Sequence, residues 1–166
     1  VNGTGHLYYF WEQEGLSARG NVKEEDKFLQ IRKSFLTRFG QPVSNLKNIK
    51  QGDLIVVKLS LSNLERTSVE NVVITDMLPA GFEIENPRLN DSRDMSWMKD
   101  QSDPDYFDVR DDRIHFFTSV KERTKNFYYL VRAVTPGNFQ MGPASADAMY
   151  NGEYHSYSGS GTVNIQ

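Results

Sequence analysis

The residues that could do chemistry are few, and the densest group is acidic. Asp100, Asp103, Asp105, Asp108, Asp111 and Asp112 lie close together in one polar run. Carboxylate oxygens at that density suit Ca²⁺, and loops at the end of a β-sandwich often supply them. Their order does not match an EF-hand loop, and no glycine supplies the sharp turn such a loop needs, so solvated loop carboxylates are the plainer reading. His6, His115 and His155 are the only histidines; they lack ligand spacing, and a metal site would need the fold to gather them. Cysteine is absent, which removes thiol nucleophiles, disulfides and thiolate-bound zinc together. No G-x-S-x-G elbow occurs, and "GSG" at 159–161 precedes neither a lysine nor a helix start, so it is no phosphate loop. A carboxylate pair for glycoside hydrolysis is defined by a distance in space, and nothing here selects one. These residues point to a chain that is not an enzyme, with no cofactor and no metal. One pair stands apart: "ADAMYNGEY" sets Met149 beside Tyr150, directly before an Asn151-Gly152 turn signal. On a strand, adjacent side chains face opposite ways. The pair is either rim packing at a strand end or a contact held outward.

The elements that must position these groups read as strands. "HLYYFWEQEG", His6 to Gly15, has bulky residues at both alternating sets, so a strand there should be covered on both faces. Leu16 to Asp26 is polar and aperiodic and reads as a loop. In "KFLQIRKSFLTRFG", Leu29, Ile31 and Phe35 share one strand face. Phe28, Ile31 and Phe35 also suit a helix, but β-branched and aromatic content favours a strand. "DLIVVKLSLSN" places Ile55, Val57, Leu59 and Leu61 on one side, with Lys58 and Ser60 on a wetter one. "NVVITDMLPAGFEIENP" continues with Val72 and Ile74 facing one way. Pro79 then supplies a fixed φ and Gly81 a permissive one for a tight turn. These two strands should be antiparallel neighbours. Polar residues follow at 89–108, where Met95, Trp97 and Met98 suit a short helical turn lidding a sheet edge. "DRIHFFTSV" sets Ile114 and Phe116 against His115 and Phe117, so His115 reads as a surface or rim residue. "KERTKN" looks like a hairpin connection into "FYYLVRAVTPG", where Phe127, Tyr129, Val131 and Ala133 share a face. "NFQMGPASADAMYN" and "SGTVNIQ" finish the chain. About seven to nine short strands with turn signals between them describe an all-β fold, an immunoglobulin- or fibronectin-like antiparallel β-sandwich with an insertion near 89–108.

Composition agrees. The chain has 166 residues, 38% hydrophobic, with ten Phe, eight Tyr and two Trp. That is enough for one domain with a real core, read as 27–166, with 1–26 a preceding strand and loop in a flanking segment. Net charge is −3 without a basic block, which disfavours nucleic acid. No apolar run is long enough to cross a bilayer, and no signal peptide pattern is present. The chain opens on Val1 rather than Met, as a processed protein or a fragment would.

Three stretches in order carry a resemblance. They are "GDLIVVKLSLSN" with "NVVITDMLPAGFEIENPRL", then "YFDVRDDRIHFFTSV", then "KNFYYLVRAVTPGNFQMGPASADAMYNGEYHSYSGSGTVNI". Together they resemble the C-terminal macroglobulin-like domain of bacterial alpha-2-macroglobulins, from about Leu29 to Gln166. "HLYYFWEQEG" resembles the short strand that precedes that domain. The turn "DMLPAGFE" alone is common to other surface sandwiches, whereas the long pattern from "YYLVRAVTPG" to "ADAMYN" is specific. The resemblance implies a domain of a protease trap, in which cleavage of a bait region exposes an internal thioester to the attacker. It further implies that Met149 and Tyr150 contact the thioester domain of the same polypeptide and shield its reactive bond. The partners implied are that domain and, through the full-length protein, target proteases, with no direct membrane insertion. The implied location is the periplasm or cell envelope, with a lipoprotein anchor far upstream. The rival readings are a generic sandwich spacer or adhesin module of a surface protein and, more distantly, a carbohydrate- or Ca²⁺-binding module built on the Asp103 to Asp112 loop.

Overall fold

Alternation of apolar and polar residues decides the architecture. The computed structural model describes residues 3–12, 20–85, 95 and 97–166. Among these, twelve strands form: β1 (Glu25–Lys27), β2 (Leu29–Thr37), β3 (Leu54–Asn63), β4 (Val69–Met77), β5 (Phe82–Ile84), β6 (Tyr106–Val109), β7 (Arg113–Val120), β8 (Lys125–Ala133), β9 (Gly137–Met141), β10 (Ala144–Ala148), β11 (His155–Tyr157) and β12 (Gly161–Ile165). A six-stranded sheet runs β1-β11-β10-β4-β7-β6, a four-stranded sheet runs β2-β3-β8-β5, and β12 pairs with β9. All of these pairings are antiparallel. The expected all-β sandwich is present. It has more strands than the spacing indicated, because β1, β5, β6 and β11 are only three or four residues long and show no periodicity of their own.

Each long strand has one apolar side, and the two larger sheets bury those sides against each other. Leu29 and Ile31 of β2, Ile55, Val57, Leu59 and Leu61 of β3, and Phe127, Tyr129 and Val131 of β8 meet Val72 and Ile74 of β4, Ile114 and Phe116 of β7, and Ala144 and Ala146 of β10. Phe116 stacks on Phe127 across the interface at 5.2 Å between centroids. Each fully buried Leu, Ile or Phe here contributes about 1.5–3 kcal/mol of apolar burial. Small alanines on β10 let that strand lie close to β2, which covers it from the other sheet.

Polar groups inside the sandwich are matched. Asp76 of β4 is fully buried; it accepts from Lys33 Nζ at 2.6 Å and from the Tyr129 hydroxyl at 2.6 Å. The two donors come from the sheet opposite Asp76, so this ion pair joins the layers. Burial, reinforced by Asp76, pushes the Tyr129 phenol well above its ordinary pKa and keeps it a donor. A second tie lies at the sandwich edge. Buried Ser156 of β11 accepts from the Ile31 amide at 2.9 Å and donates to Asp26 at 2.7 Å.

Between β1 and β2 the chain leaves one sheet and joins the other within a single residue. That residue, Phe28, has φ +62°, a conformation a bulky side chain adopts only under constraint. The constraint is visible: its carbonyl accepts from the Leu64 amide at 2.9 Å, and its ring packs on Tyr154 at 5.0 Å. The connection 64–68 and the connection 121–124 likewise pass from one sheet to the other.

Several sequence expectations change here. β3 and β4 are not sheet neighbours; they lie in different sheets and face each other, because both must bury an apolar side. For the same reason "KERTKN" is a crossing between sheets and not a hairpin, since β7 pairs with β4 and β6 while β8 pairs with β3 and β5. Gly81 does not have positive φ. It is needed for space, because an added Cβ would lie 2.4 Å from the Phe139 ring and 2.7 Å from Ile165. Met95, Trp97 and Met98 cover the outer face of the four-stranded sheet, over Val56 and Leu130, and not its edge. There the Trp97 indole donates to the Arg38 carbonyl at 2.9 Å. The rest of the 86–96 stretch lies outside the described residues. Tyr106–Val109, at the end of the polar insertion, is strand β6.

The N-terminal strand expectation is also corrected. Residues 6–12 form no strand, and Leu7 to Trp11 are 66–91% exposed, so among the described residues nothing covers either face. Residues 13–15 of that expected strand lie outside the described residues. The loop read over Leu16 to Asp26 ends earlier than expected, because Glu25–Lys27 pairs with β11.

Candidate functional site

Met149 and Tyr150 do not sit on a strand. β10 ends at Ala148, and the pair occupies the two central positions of a turn closed by the Asn151 amide donating to the Ala148 carbonyl at 3.2 Å. The strand stops there because its partner β4, which runs on to Val69, bulges opposite it. The Met149 amide donates to the Asn71 carbonyl at 3.0 Å, and Asn71 has φ +55° at a bulge where the β4–β7 register shifts between Val69 and Val72. Asparagine tolerates this left-handed conformation better than most residues. A bulge of this kind bends its strand and re-aims the neighbouring side chains. Asn151 then starts a second turn: its carbonyl accepts from the Tyr154 amide at 3.0 Å, and its Oδ1 accepts from the Glu153 amide at 3.2 Å. The Ala148 amide donates to the Tyr154 carbonyl at 2.9 Å, and the Tyr154 ring rests on Phe28.

The loop is thus fixed by its backbone while its tip is bare. Met149 is 51% and Tyr150 83% exposed. Opposite-facing strand packing is replaced by two large side chains presented from one turn. Beside Tyr150 lies a groove of about 380 Å³ lined by Thr67, Val69, Asn71, Ala148 and Tyr154. The strand directions place 64–68, 121–124 and 149–154 at the same end of the sandwich.

The other candidates are not assembled into a site. Asp100 accepts from Lys58 at 2.8 Å and from the Tyr128 hydroxyl at 2.6 Å, and these bonds hold its carboxyl below the usual range. Asp108 pairs with Arg110 and Asp112 with Arg113. Among the described residues no group of three His, Asp or Glu side chains is placed to hold a metal ion. His115 bonds the Thr75 hydroxyl at 2.9 Å, but these are ordinary cross-strand partners on adjacent β4 and β7. His155 lies on β11, separated from β7 by β10 and β4, and His6 lies in the exposed N-terminal segment. Sequence reasoning did not single out Asn71 or Phe28, the two residues whose positive φ shapes this end. An asparagine inside the β-branched run "VENVVITD" is the available signal, because asparagine is depleted in strands and tolerates the left-handed region.

Fold and site together describe a class: an immunoglobulin-like antiparallel β-sandwich with an end loop whose backbone is bonded and whose tip is exposed. Within that class the assignment is specific. The family model for the bacterial alpha-2-macroglobulin MG10 domain matches residues 29–153, and the chain belongs to that family. It is 31% identical over 155 residues to the alpha-2-macroglobulin of Xylella fastidiosa strain Temecula1, covering 87% of this chain and 9% of that protein. A Salmonella alpha-2-macroglobulin reacted with methylamine superimposes with a TM-score of 0.78 at 29% identity, over 87% of this chain and 10% of that one. A trypsin-activated alpha-2-macroglobulin from Escherichia coli does so with a TM-score of 0.79 at 25% identity, over 87% and 11%. The chain therefore spans about a tenth of the length of these relatives.

Proposed function

We propose that the chain is the C-terminal domain of a bacterial alpha-2-macroglobulin-like protease trap, and that it catalyses nothing itself. It docks on the thioester domain of the same polypeptide, with Met149 and Tyr150 covering the reactive bond. The observation that carries this reading is the contrast at residues 149–150. The backbone is pinned by bonds to Asn71, Ala148 and Asn151, while Tyr150 is 83% exposed. With the backbone already fixed, only the side-chain freedom of this ring remains to be lost when a partner covers it.

The chemistry suits these side chains. A thioester is an activated acyl group, and its lifetime depends on keeping water and amines from the carbonyl carbon. Tyrosine provides a broad apolar ring with a polar tip, and methionine an adaptable filler. Because the pair sits on a domain of its own, a rigid-body movement can uncover the bond. Target proteases engage the full-length protein, not this domain, and the compartment is the periplasm or cell envelope.

The test is Tyr150→Ala in the full-length protein, with methylamine as the nucleophile. Losing roughly 1.4 kcal/mol of ring burial should speed thioester loss about tenfold. An unchanged rate, or a full-length protein without a thioester, overturns the proposal.

A further inference from the structure

Immediately beside the Tyr150 groove is a larger cavity of about 750 Å³. It is lined by Arg66, Lys121, Arg123 and Lys125 with two carboxylates, Glu70 and Glu122. The two cavities share walls at Ser68 and Glu70. In a chain of net charge −3, this is a local concentration of positive charge at the same end of the sandwich as Met149 and Tyr150. The cations are unevenly engaged. Lys125 donates to the Thr118 hydroxyl at 2.8 Å, and Glu70 is held by the hydroxyls of Ser119 and Ser68. Arg66 and Arg123 are exposed and make no hydrogen bond or ion pair among the described residues.

We propose that this cationic cavity is the second half of the docking face and receives a carboxylate-bearing loop of the neighbouring domain. The inference rests on the docking reading above and names the chemistry of its partner. An apolar tip by itself binds without orientation, because the hydrophobic effect is non-directional. Charges set beside it supply register and reject wrong partners. Two arginines with uncommitted forks match carboxylates in a bidentate geometry that lysines cannot reproduce. Exposed rim pairs of this kind contribute little each, and they weaken with salt. That suits a surface that must release when the trap rearranges.

The experiment is hydrogen exchange on the full-length protein at low and high sodium chloride. It monitors the amides of 64–68, 121–124 and 149–154 in wild type, Arg66→Glu/Arg123→Glu and Tyr150→Ala. Both arginines are surface residues without internal bonds, so the charge-reversed variant should keep the wild-type melting temperature. The expected result is protection of all three loops at low salt in wild type. High salt, or charge reversal, should weaken that protection about tenfold, and in the reversed variant added salt should restore protection, because it screens the new like-charge repulsion. If 149–154 responds to Tyr150→Ala while charge reversal and salt change nothing, the cationic half is refuted and the docking reading stands. Because several of these amides are already bonded within the domain, docking is read from the difference between proteins: if 149–154 exchanges no more slowly in wild type than in Tyr150→Ala, both fall.

Discussion

Replacing Lys33 by Met tests whether the ion pair between the sheets behaves as a buried charge. Asp76 is fully buried, the Lys33 side chain is 5% exposed, and the two meet at 2.6 Å. Methionine keeps most of the lysine stem, so little cavity forms and the substitution isolates the loss of charge. Asp76 would then retain only the Tyr129 hydroxyl. Removing one partner of a buried pair costs about 3–5 kcal/mol, because the remaining charge stays desolvated. For a chain of this size each kcal/mol moves Tm by about 2–4 °C, so the expected drop is about 6–20 °C. The assay is equilibrium urea unfolding together with a thermal melt. A companion variant, Lys33→Met/Asp76→Leu/Tyr129→Phe, leaves no polar group unmatched and should return to within about 1–2 kcal/mol of wild type. A single-variant cost under about 1 kcal/mol would refute the argument that the pair is desolvated. A triple variant as unstable as the single one would show that the cost was packing and not charge.

Two other perturbations probe the edge and the far end. Hydrogen bonds from Arg32 in the first place, against the cost of burial and with help from Ser156 and Gln30, hold the Asp26 carboxyl well below the usual range. A depressed carboxylate stabilises the fold above its unfolded pKa of about 3.9 and loses that contribution as pH falls through the folded value. Urea midpoints between about pH 5 and 2 should therefore fall in wild type and be flatter in Asp26→Asn. Equal slopes would remove Asp26 from the acid limb. Gly81→Ala forces a methyl to 2.4 Å from Phe139 and should cost about 1–3 kcal/mol by overpacking, read from urea unfolding. A neutral outcome would show that the Phe139 ring yields.

Much of the architecture was legible in the chain. Period-two alternation in "DLIVVKLSLSN", "DRIHFFTSV" and "FYYLVRA" is a local property, because side chains on a strand alternate whatever the strand pairs with. It named the strands and their inward residues correctly. Pairing was not legible. "NLERTS" and "KERTK" are polar, short connections that suit a hairpin or a crossing equally, and the choice depends on which apolar faces must meet. The same limit explains Gly81, whose need for space is imposed by Phe139 and Ile165, far along the chain.

The exposed pair divides along the same line. Sequence placed Met149 and Tyr150 next to a turn signal, and its resemblance pointed to a partner. It could not say whether the two side chains were packed or presented. That was decided by Asn71, whose left-handed backbone and carbonyl end β10 at Ala148 and start the turn one residue later. The cationic cavity is likewise beyond reach of the one-dimensional record. Arg66 and Arg123 are distant in sequence and meet only because β3–β4 and β7–β8 both cross between the sheets at one end. What the chain determined by itself is which residues must be hidden. Which exposed residues come to share a surface was set by the sheets closing over one another, since burying two apolar faces leaves only certain loops side by side.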